Sequence, residues 1–285
     1  MNLPEIDHIA NAMYEAAAKT TKGKKRRYLG MSSIGGPCDR ALWLSFRGFP
    51  ENPTDGRMIM LFRFGDRIEE EVIQWLNAAG YRVEGQQDEF SDFDGHFRGH
   101  CDGIVHGVTS RPHILEVKSA NANRFKAFKM AGIEKTSNTY FAQAQCYMGY
   151  SGLDRTLFVV QDKNTSEIYT ERIRFSKLIF DELRERAKAI IYSDDIPALR
   201  AEHDMACRWC SQSMSCAYAD DGEGLTLADD QVCGTCKWFG HAKWLKKWCH
   251  HHDLEIKTWG VGCPDWKDRF EKDLITKDKA SDKPA

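Results

Sequence analysis

Three side chains within a short stretch of the chain have the types and spacing of a metal-dependent phosphodiesterase site. Asp102 stands in the segment GHCDG, and Glu116 and Lys118 stand in the segment LEVKS, on two predicted strands joined by a short turn. Mg²⁺ prefers carboxylate oxygens, and a divalent cation polarises a phosphate and generates hydroxide. Because alternate residues of a strand share a face, Lys118 would lie beside Glu116 and orient or deprotonate the attacking water. The alternative is a surface Glu–Lys pair with an unrelated surface Asp.

The elements that must position these residues follow from the periodicity of apolar residues. Helices are predicted over 4–19, 58–79, 121–130, 137–149 and 176–192, and a further helix over ALWLSFRGF. The second of these carries one apolar stripe, made of Leu61, Phe64, Ile68, Val72, Trp75 and Ala79. Strands are predicted over 81–90, 96–106 and 113–119, and a hairpin over 155–163 and 167–175. This order predicts the α/β class, with a mixed sheet flanked by helices.

Three motifs in order along the chain resemble those of RecB-like PD-(D/E)xK nucleases. The segments GHCDG, EVK and QAQCY match the GxxD, ExK and QxxxY patterns of that family. The resemblance implies a restriction-endonuclease-like core, Mg²⁺ or Mn²⁺ held by Asp102 and Glu116, and catalysis assisted by Lys118. It also implies that Gln143 and Tyr147, four apart on one helix face, shape the DNA side of the site. The alternative for this last pair is a core tyrosine with a glutamine neighbour.

The same resemblance selects a third metal ligand on the helix predicted over 58–79. The family has a glycine followed four residues later by a metal-binding histidine, whereas this chain has Gly65 followed by Glu69. A glutamate can bind Mg²⁺ or Mn²⁺. Glu70 and Glu71 are adjacent to it, and only the resemblance distinguishes Glu69 from them.

A set of cysteines predicts a second metal site. Cys207, Cys210 and Cys216 form a compact trio, and Cys38 is the candidate fourth ligand. Four thiolates suit tetrahedral Zn²⁺ or a 4Fe–4S cluster, and their spacing does not choose between them. One cysteine before the nuclease motifs and three after them resembles the iron–sulfur subgroup of the family, which includes CRISPR-associated exonucleases and AddB-type nucleases. The alternative is four unrelated buried cysteines. Two others without a spacing signal are predicted to be core thiols, Cys101 and Cys146.

The C-terminal part of the chain predicts a small module stabilised by metal. Its candidate zinc ligands are Cys233, Cys236, Cys249 and Cys263, and the histidines at 250–252 are alternatives. Its tryptophans and lysines could stack on bases and contact phosphates, or the tryptophans could pack around the zinc.

Changes in composition predict five segments. They are an N-terminal helix with a basic run (1–30), the nuclease-like domain (31–220), an acidic linker (221–232), the Cys/Trp-rich module (233–270) and a disordered tail (271–285).

Composition limits the partners. The 285 residues carry a net charge of −2, so no global basic field proves nucleic-acid binding, although the basic run at 22–27 is either a solvated loop or a DNA contact. Without an apolar run of about 20 residues, the protein is expected to be cytoplasmic, with no membrane segment. The resemblance implies an exonuclease on single-stranded or frayed DNA ends. The alternatives are a non-catalytic DNA-binding scaffold and a nuclease subunit of a recombination or CRISPR-adaptation complex.

Overall fold

The structure is a computed structural model. It describes residues 7–20, 28–49, 51–52, 54–193, 195–198, 207, 209–218, 239–241, 247–249 and 254–255. The helices are α1 (Asp7–Lys19), α2 (Asp39–Phe46), α3 (Gly56–Ala78), α4 (Ala122–Thr136), α5 (Asn138–Ser151), α6 (Lys177–Tyr192) and α7 (Ser213–Tyr218). The strands are β1 (Leu29–Gly30), β2 (Arg82–Glu84), β3 (Glu89–Asp92), β4 (Phe97–His100), β5 (Gly103–His106), β6 (His113–Ala120), β7 (Arg155–Asp162), β8 (Ile168–Arg174), β9 (Phe239–His241), β10 (Lys247–Cys249) and β11 (Leu254–Glu255). No helix within these ranges is both long and apolar enough to cross a bilayer.

The chain divides into two compact units. One comprises 1–24, 30–35 and 53–185, and the other comprises 25–29, 36–52 and 186–285. The first unit is built on a five-stranded sheet in the order β2-β5-β6-β7-β8. Strands β6 and β7 run parallel, and the other neighbours run antiparallel. Together with the helices, this confirms the predicted mixed α/β architecture.

Helix α3 and one face of the sheet form an apolar cluster of the first unit. Ile68, Val72 and Ile73 pack with sheet residues that include Leu115 and Val117. Helix α3 begins at an N-cap aspartate, Asp55, whose carboxylate accepts a 2.9 Å hydrogen bond from the Arg57 N–H. Leu115 and Val117 of β6 therefore face α3. Glu116 and Lys118 point to the opposite side of the sheet.

Only the middle of the predicted apolar stripe on α3 is buried. Leu61 and Phe64 towards one end and Trp75 towards the other are exposed. The contact of α3 with the sheet is centred on Ile68, Val72 and Ile73, so the two ends of the stripe lie outside that contact. On α1, Ile9 and Met13 are exposed and Ala17 is buried.

Two predicted strands are each broken. The segment 81–90 forms β2 and β3, and the segment 96–106 forms β4 and β5. Strands β2 and β5 belong to the five-stranded sheet, whereas β3 and β4 pair in a second sheet of order β1-β4-β3. The breaks lie side by side, because Gln87 N–H donates to the Cys101 carbonyl (2.9 Å) and Cys101 N–H donates to the Asp88 carbonyl (3.2 Å). The chain therefore changes sheets immediately before Asp102.

Helices α4 and α5 cover the other face of the sheet. The rings of Phe128 and Tyr140 pack on Phe158 of β7, with centroids 5.9 and 6.1 Å away. Helix α4 is interrupted at Gly132, where φ is 73°, and the Ile133 N–H beyond the break donates to the Glu171 carboxylate (2.9 Å). This face holds the even-numbered side chains of β6.

The second unit contains α2, α7 and a three-stranded antiparallel sheet of order β11-β10-β9. Trp43 of α2 is fully buried, and its indole N–H donates to the Ser193 carbonyl (3.0 Å). Arg47 Nη2 donates to the same carbonyl, at 2.5 Å.

Candidate active site

Asp102 lies where β5 begins, directly beside β6. Gly103 pairs with Leu115, so continuing the register by one residue places Asp102 opposite Glu116. Its Oδ2 accepts a 2.7 Å hydrogen bond from the Val117 N–H, which fixes the carboxylate against the strand. Burial raises the pKa of Asp102, against the opposing effects of Lys118 and this hydrogen bond. A buried, oriented carboxylate therefore faces the next one along the sheet.

Glu116 lies in the centre of the sheet, between β5 and β7, and its side chain is fully buried. Oε1 contacts the Lys118 Nζ, whereas no hydrogen-bond donor of the described residues reaches Oε2. Burial, followed by the nearby charge of Asp102, raises the pKa of Glu116 to about 8, although Lys118 acts in the opposite direction. A buried carboxylate oxygen without a donor is an unusual and costly feature.

Lys118 shares the face of Glu116, as the strand pattern predicts. Its side chain is 22% exposed, and its Nζ lies 5.4 Å from the centroid of the Tyr140 ring. Burial disfavours its charge, but Glu116 and Asp102 outweigh this effect and raise the pKa of Lys118. The ammonium therefore keeps its positive charge beside the two carboxylates.

Glu69 is half-buried on α3, and its neighbours Glu70 and Glu71 are exposed. Its Oε1 accepts a 3.0 Å hydrogen bond from Gln87 Nε2. Burial and, after it, the charge of Asp102 raise the pKa of Glu69 to about 7, while Lys118 lowers it. The structure thus brings Glu69 into the electrostatic environment of the site. A cavity of about 550 Å³ opens beside it, lined by Asp66, Glu69, Glu70, Ile73, Gln74, Gln86 and Gln87.

The donor set fits a divalent cation held by two carboxylates. Among the described residues, no group of three or more His, Cys, Asp and Glu side chains is placed to hold a metal ion. Mg²⁺ usually keeps several water molecules and binds proteins through one or two carboxylates. Asp102 and Glu116 supply two, and Oε2 of Glu116, which has no hydrogen-bond partner within the described part of the chain, would be available as a ligand atom. Glu69 as a third ligand stays a prediction.

Gln143 and Tyr147 form a buried pair on α5. Gln143 Nε2 donates a 3.1 Å hydrogen bond to the Tyr147 hydroxyl, and the two residues are 5% and 2% exposed. Gly99 explains why this ring fits, because a Cβ at this position would lie 2.5 Å from Tyr147 Cε1. Burial and then the charge of Glu116 raise the pKa of Tyr147. The pair packs the GxxD segment against α5, and its contact with DNA stays a prediction.

Two residues beside Lys118 carry no motif and were missed by sequence reasoning. Tyr140 stands over the ammonium, and the guanidinium of Arg124 lies 4.9 Å from the Tyr140 ring centroid. Arg124 is exposed, and its Nη2 donates to the Ser137 hydroxyl (3.2 Å). The available signal was a basic residue in the first turn of the helix that follows the EVK strand.

The four cysteines Cys38, Cys207, Cys210 and Cys216 belong to one unit. Burial raises the pKa of Cys210, and the nearby thiols of Cys38, Cys216 and Cys207 add to this effect. The Gln212 N–H donates a 3.4 Å hydrogen bond to Cys210 Sγ, the type of contact that tunes metal-bound sulfur. This donor set fits a thiolate-bound metal, although no three of these thiols are placed as ligands here.

The other cysteines named in the sequence analysis are the predicted core thiols and the predicted zinc ligands. Cys101 and Cys146 are fully buried, as predicted for core thiols, and burial raises the pKa of Cys101 to about 12. Of the predicted zinc ligands, Cys249 ends β10, where it pairs with Phe239 and Leu254. The other three, Cys233, Cys236 and Cys263, lie outside the described residues.

Comparison with known proteins leaves the family open. No family model and no curated protein matches the chain. Among solved structures, an alkaline exonuclease (LHK-Exo) from Laribacter hongkongensis aligns at 17% identity and a TM-score of 0.43, covering 62% of this chain and 90% of that one. LHK-Exo in complex with dAMP aligns at 15% identity and a TM-score of 0.43, covering 64% and 90%. A phage related exonuclease from Haemophilus somnus 129PT aligns at 19% identity and a TM-score of 0.35, covering 44% and 66%. At these TM-scores the likeness decides neither fold nor activity.

Proposed function

We propose that the protein is a metal-dependent deoxyribonuclease that uses Mg²⁺ or Mn²⁺ held by Asp102 and Glu116. The observation that carries this proposal is the meeting of two buried carboxylates and one lysine at the break between β4 and β5. Two carboxylates buried side by side repel each other unless a cation compensates them. Lys118 contacts Glu116 Oε1, and no donor among the residues that the structure describes reaches Glu116 Oε2.

Each residue has a role that follows from its position. The cation, when bound, polarises the phosphate and activates a water molecule. Asp102, held by the Val117 N–H, presents its carboxylate in one orientation and so fixes where the phosphate lies. Lys118, partly open to solvent, donates hydrogen bonds to the attacking water and to the phosphate oxygens that gain negative charge. Glu69, whose pKa burial and the charge of Asp102 raise, would be a further ligand of the cation, directly or through a water molecule.

The substrate and the mode of cleavage come from the sequence motifs. The resemblance carried by the ordered GxxD, ExK and QxxxY segments supports exonucleolytic degradation of DNA with single-stranded or frayed ends. Gln143 and Tyr147 hold α5 against the strand that leads to Asp102, and thereby position the DNA strand.

The cysteines support two further metal sites. Cys38, Cys207, Cys210 and Cys216 would hold a 4Fe–4S cluster, with Zn²⁺ as the alternative for the same thiolates. Cys233, Cys236, Cys249 and Cys263 would hold a structural Zn²⁺. A partner protein in a recombination or CRISPR-adaptation complex would dock outside the catalytic site.

The first test is cleavage of end-labelled single-stranded DNA with Mn²⁺ or Mg²⁺. The wild type should degrade the DNA, EDTA should abolish degradation, and Asp102→Ala should be inactive. Glu71→Gln is the matched control, because it removes an exposed carboxylate of the same region. Equal degradation by the wild type and Asp102→Ala would refute the assignment. DNA binding in Ca²⁺ without cleavage in Mn²⁺ would favour the non-catalytic scaffold.

A further inference from the structure

An exposed aromatic ring with a lysine above it lies at the end of the catalytic strand. Phe64 of α3 is 44% exposed. The Nζ of Lys163 lies 6.0 Å from its ring centroid, within the range of a cation–π contact. The ring therefore presents apolar surface to solvent next to a positive charge.

The backbone holds Lys163 in place. Its N–H donates a 2.8 Å hydrogen bond to the carbonyl of Ala120, the last residue of β6. The turn that contains it is tied by Asp162, whose carboxylate accepts from the Asn164 N–H and from the Thr165 hydroxyl, both at 2.9 Å. Lys163 thus stands on a fixed turn, and a ligand would not have to order this backbone when it binds.

The pair is adjacent to the catalytic residues along the strand. Gly65, which follows Phe64, packs over β6, because a Cβ at this position would lie 3.7 Å from the Ser119 Oγ. Ser119 directly follows Lys118 and points to the α3 side of the sheet. The aromatic–lysine pair therefore lies at the end of β6 on the α3 side of the sheet, whereas the catalytic ammonium lies on the opposite side. A DNA strand bound at Lys118 continues on both sides of the cleaved bond. Its next nucleotide can lie at this end of β6.

We propose that Phe64 and Lys163 bind a nucleotide that neighbours the cleaved bond of single-stranded DNA. The base stacks on the Phe64 ring, and a phosphate pairs with the Lys163 ammonium. A nucleotide combines an aromatic face with a negative charge, which matches this surface in both respects. Stacking accepts every base, so the subsite binds DNA without selecting its sequence. The proposal rests on the proposed nuclease function.

Binding of a fluorescein-labelled 12-nucleotide single strand, measured by anisotropy in Ca²⁺, tests the subsite. Phe64→Ala should weaken binding about 5- to 150-fold, the range expected from the loss of one stacked base. Lys163→Ala should reduce the salt dependence of binding by about one phosphate contact. Trp75→Ala is the matched control, since Trp75 is a more exposed aromatic residue of the same helix (67%), about 16 Å further along it. It should bind as the wild type does.

A series of strands, each with one abasic position, identifies the stacked base. One abasic position should weaken binding to the wild type and leave binding to Phe64→Ala unchanged. Phe64→Leu, which keeps an apolar side chain without a π-face, should lose the same sensitivity and serves if the alanine variant does not fold. Wild-type affinity in Phe64→Ala and Phe64→Leu would overturn the subsite, as would a change in oligomeric state that accounts for the loss. If the wild type neither binds nor cleaves DNA, the nuclease proposal itself fails. Cleavage by the wild type together with unaffected Phe64 variants refutes the subsite alone.

Discussion

Replacing Gly99 by alanine should test whether the GxxD glycine is required by packing. A Cβ at Gly99 would lie 2.5 Å from Tyr147 Cε1, 2.9 Å from Met31 Cβ and 3.0 Å from Met31 Sδ. Carbon atoms in contact are separated by about 3.5–4.0 Å, so the new methyl group overlaps the tyrosine ring by about 1 Å. Either the Tyr147 ring moves, which disturbs its hydrogen bond with Gln143, or β4 moves, which displaces Asp102.

Overpacking of this kind costs about 1–3 kcal/mol of unfolding free energy. For a chain of this size, we expect the midpoint of thermal unfolding to fall by about 2–10 °C. Urea unfolding followed by circular dichroism measures the free energy. Cleavage of end-labelled DNA should fall by more than the loss of folded protein explains, because Asp102 lies three residues away.

Gly65→Ala is the matched control for stability. Gly65 is also a motif glycine, but it lies inside α3, and its nearest non-local contact with a Cβ would be an ordinary 3.7 Å. Alanine there should stabilise the helix by up to about 1 kcal/mol. Tyr147→Leu in the Gly99→Ala background should recover part of the lost stability, because it removes the overlapping ring atoms. An unfolding free energy of Gly99→Ala within about 0.5 kcal/mol of the wild type would refute the packing argument.

Three further predictions follow from other contacts. Lys118→Ala should leave folding and the proposed cysteine-bound metal intact but abolish cleavage, because the site loses the ammonium that contacts Glu116 Oε1; retained turnover in the end-label assay would remove Lys118 from the mechanism. Cys207→Ser should lose the bound metal and much of the soluble protein; unchanged iron and zinc by elemental analysis would contradict the four-cysteine site. Asp92→Asn should destabilise the fold by about 1–3 kcal/mol at pH 7, because the carboxylate accepts hydrogen bonds from the Phe93 N–H, Tyr150 and Arg184. Burial opposes its charge, but these bonds lower the pKa of Asp92, so its contribution is present above the unfolded pKa and lost as the pH falls; a difference in unfolding free energy that does not shrink towards pH 3 would contradict this.

Local periodicity determined much of the architecture. The predicted helix over 58–79 is α3, which spans 56–78, and the hairpin across Asn164 is β7 and β8. Glu116 and Lys118 share a face because successive side chains of a strand alternate, and Gln143 meets Tyr147 because residues four apart on a helix are neighbours. These relations depend only on backbone geometry over a few residues, which the sequence pattern encodes directly.

Contacts between distant segments were decided by the tertiary structure alone. The change of sheet before Asp102 depends on hydrogen bonds between the turn at Gln87 and Cys101, which no pattern within 96–106 contains. Glu69 is distinguished from its exposed neighbours by the approach of α3 to β6, and Phe64 is exposed because the contact of α3 with the sheet is centred further along the helix, on Ile68, Val72 and Ile73. A sequence specifies which side of an element is apolar. How far the neighbouring element extends along that side is set by the packing of the whole unit, and that extent decides which side chains remain free to bind a ligand.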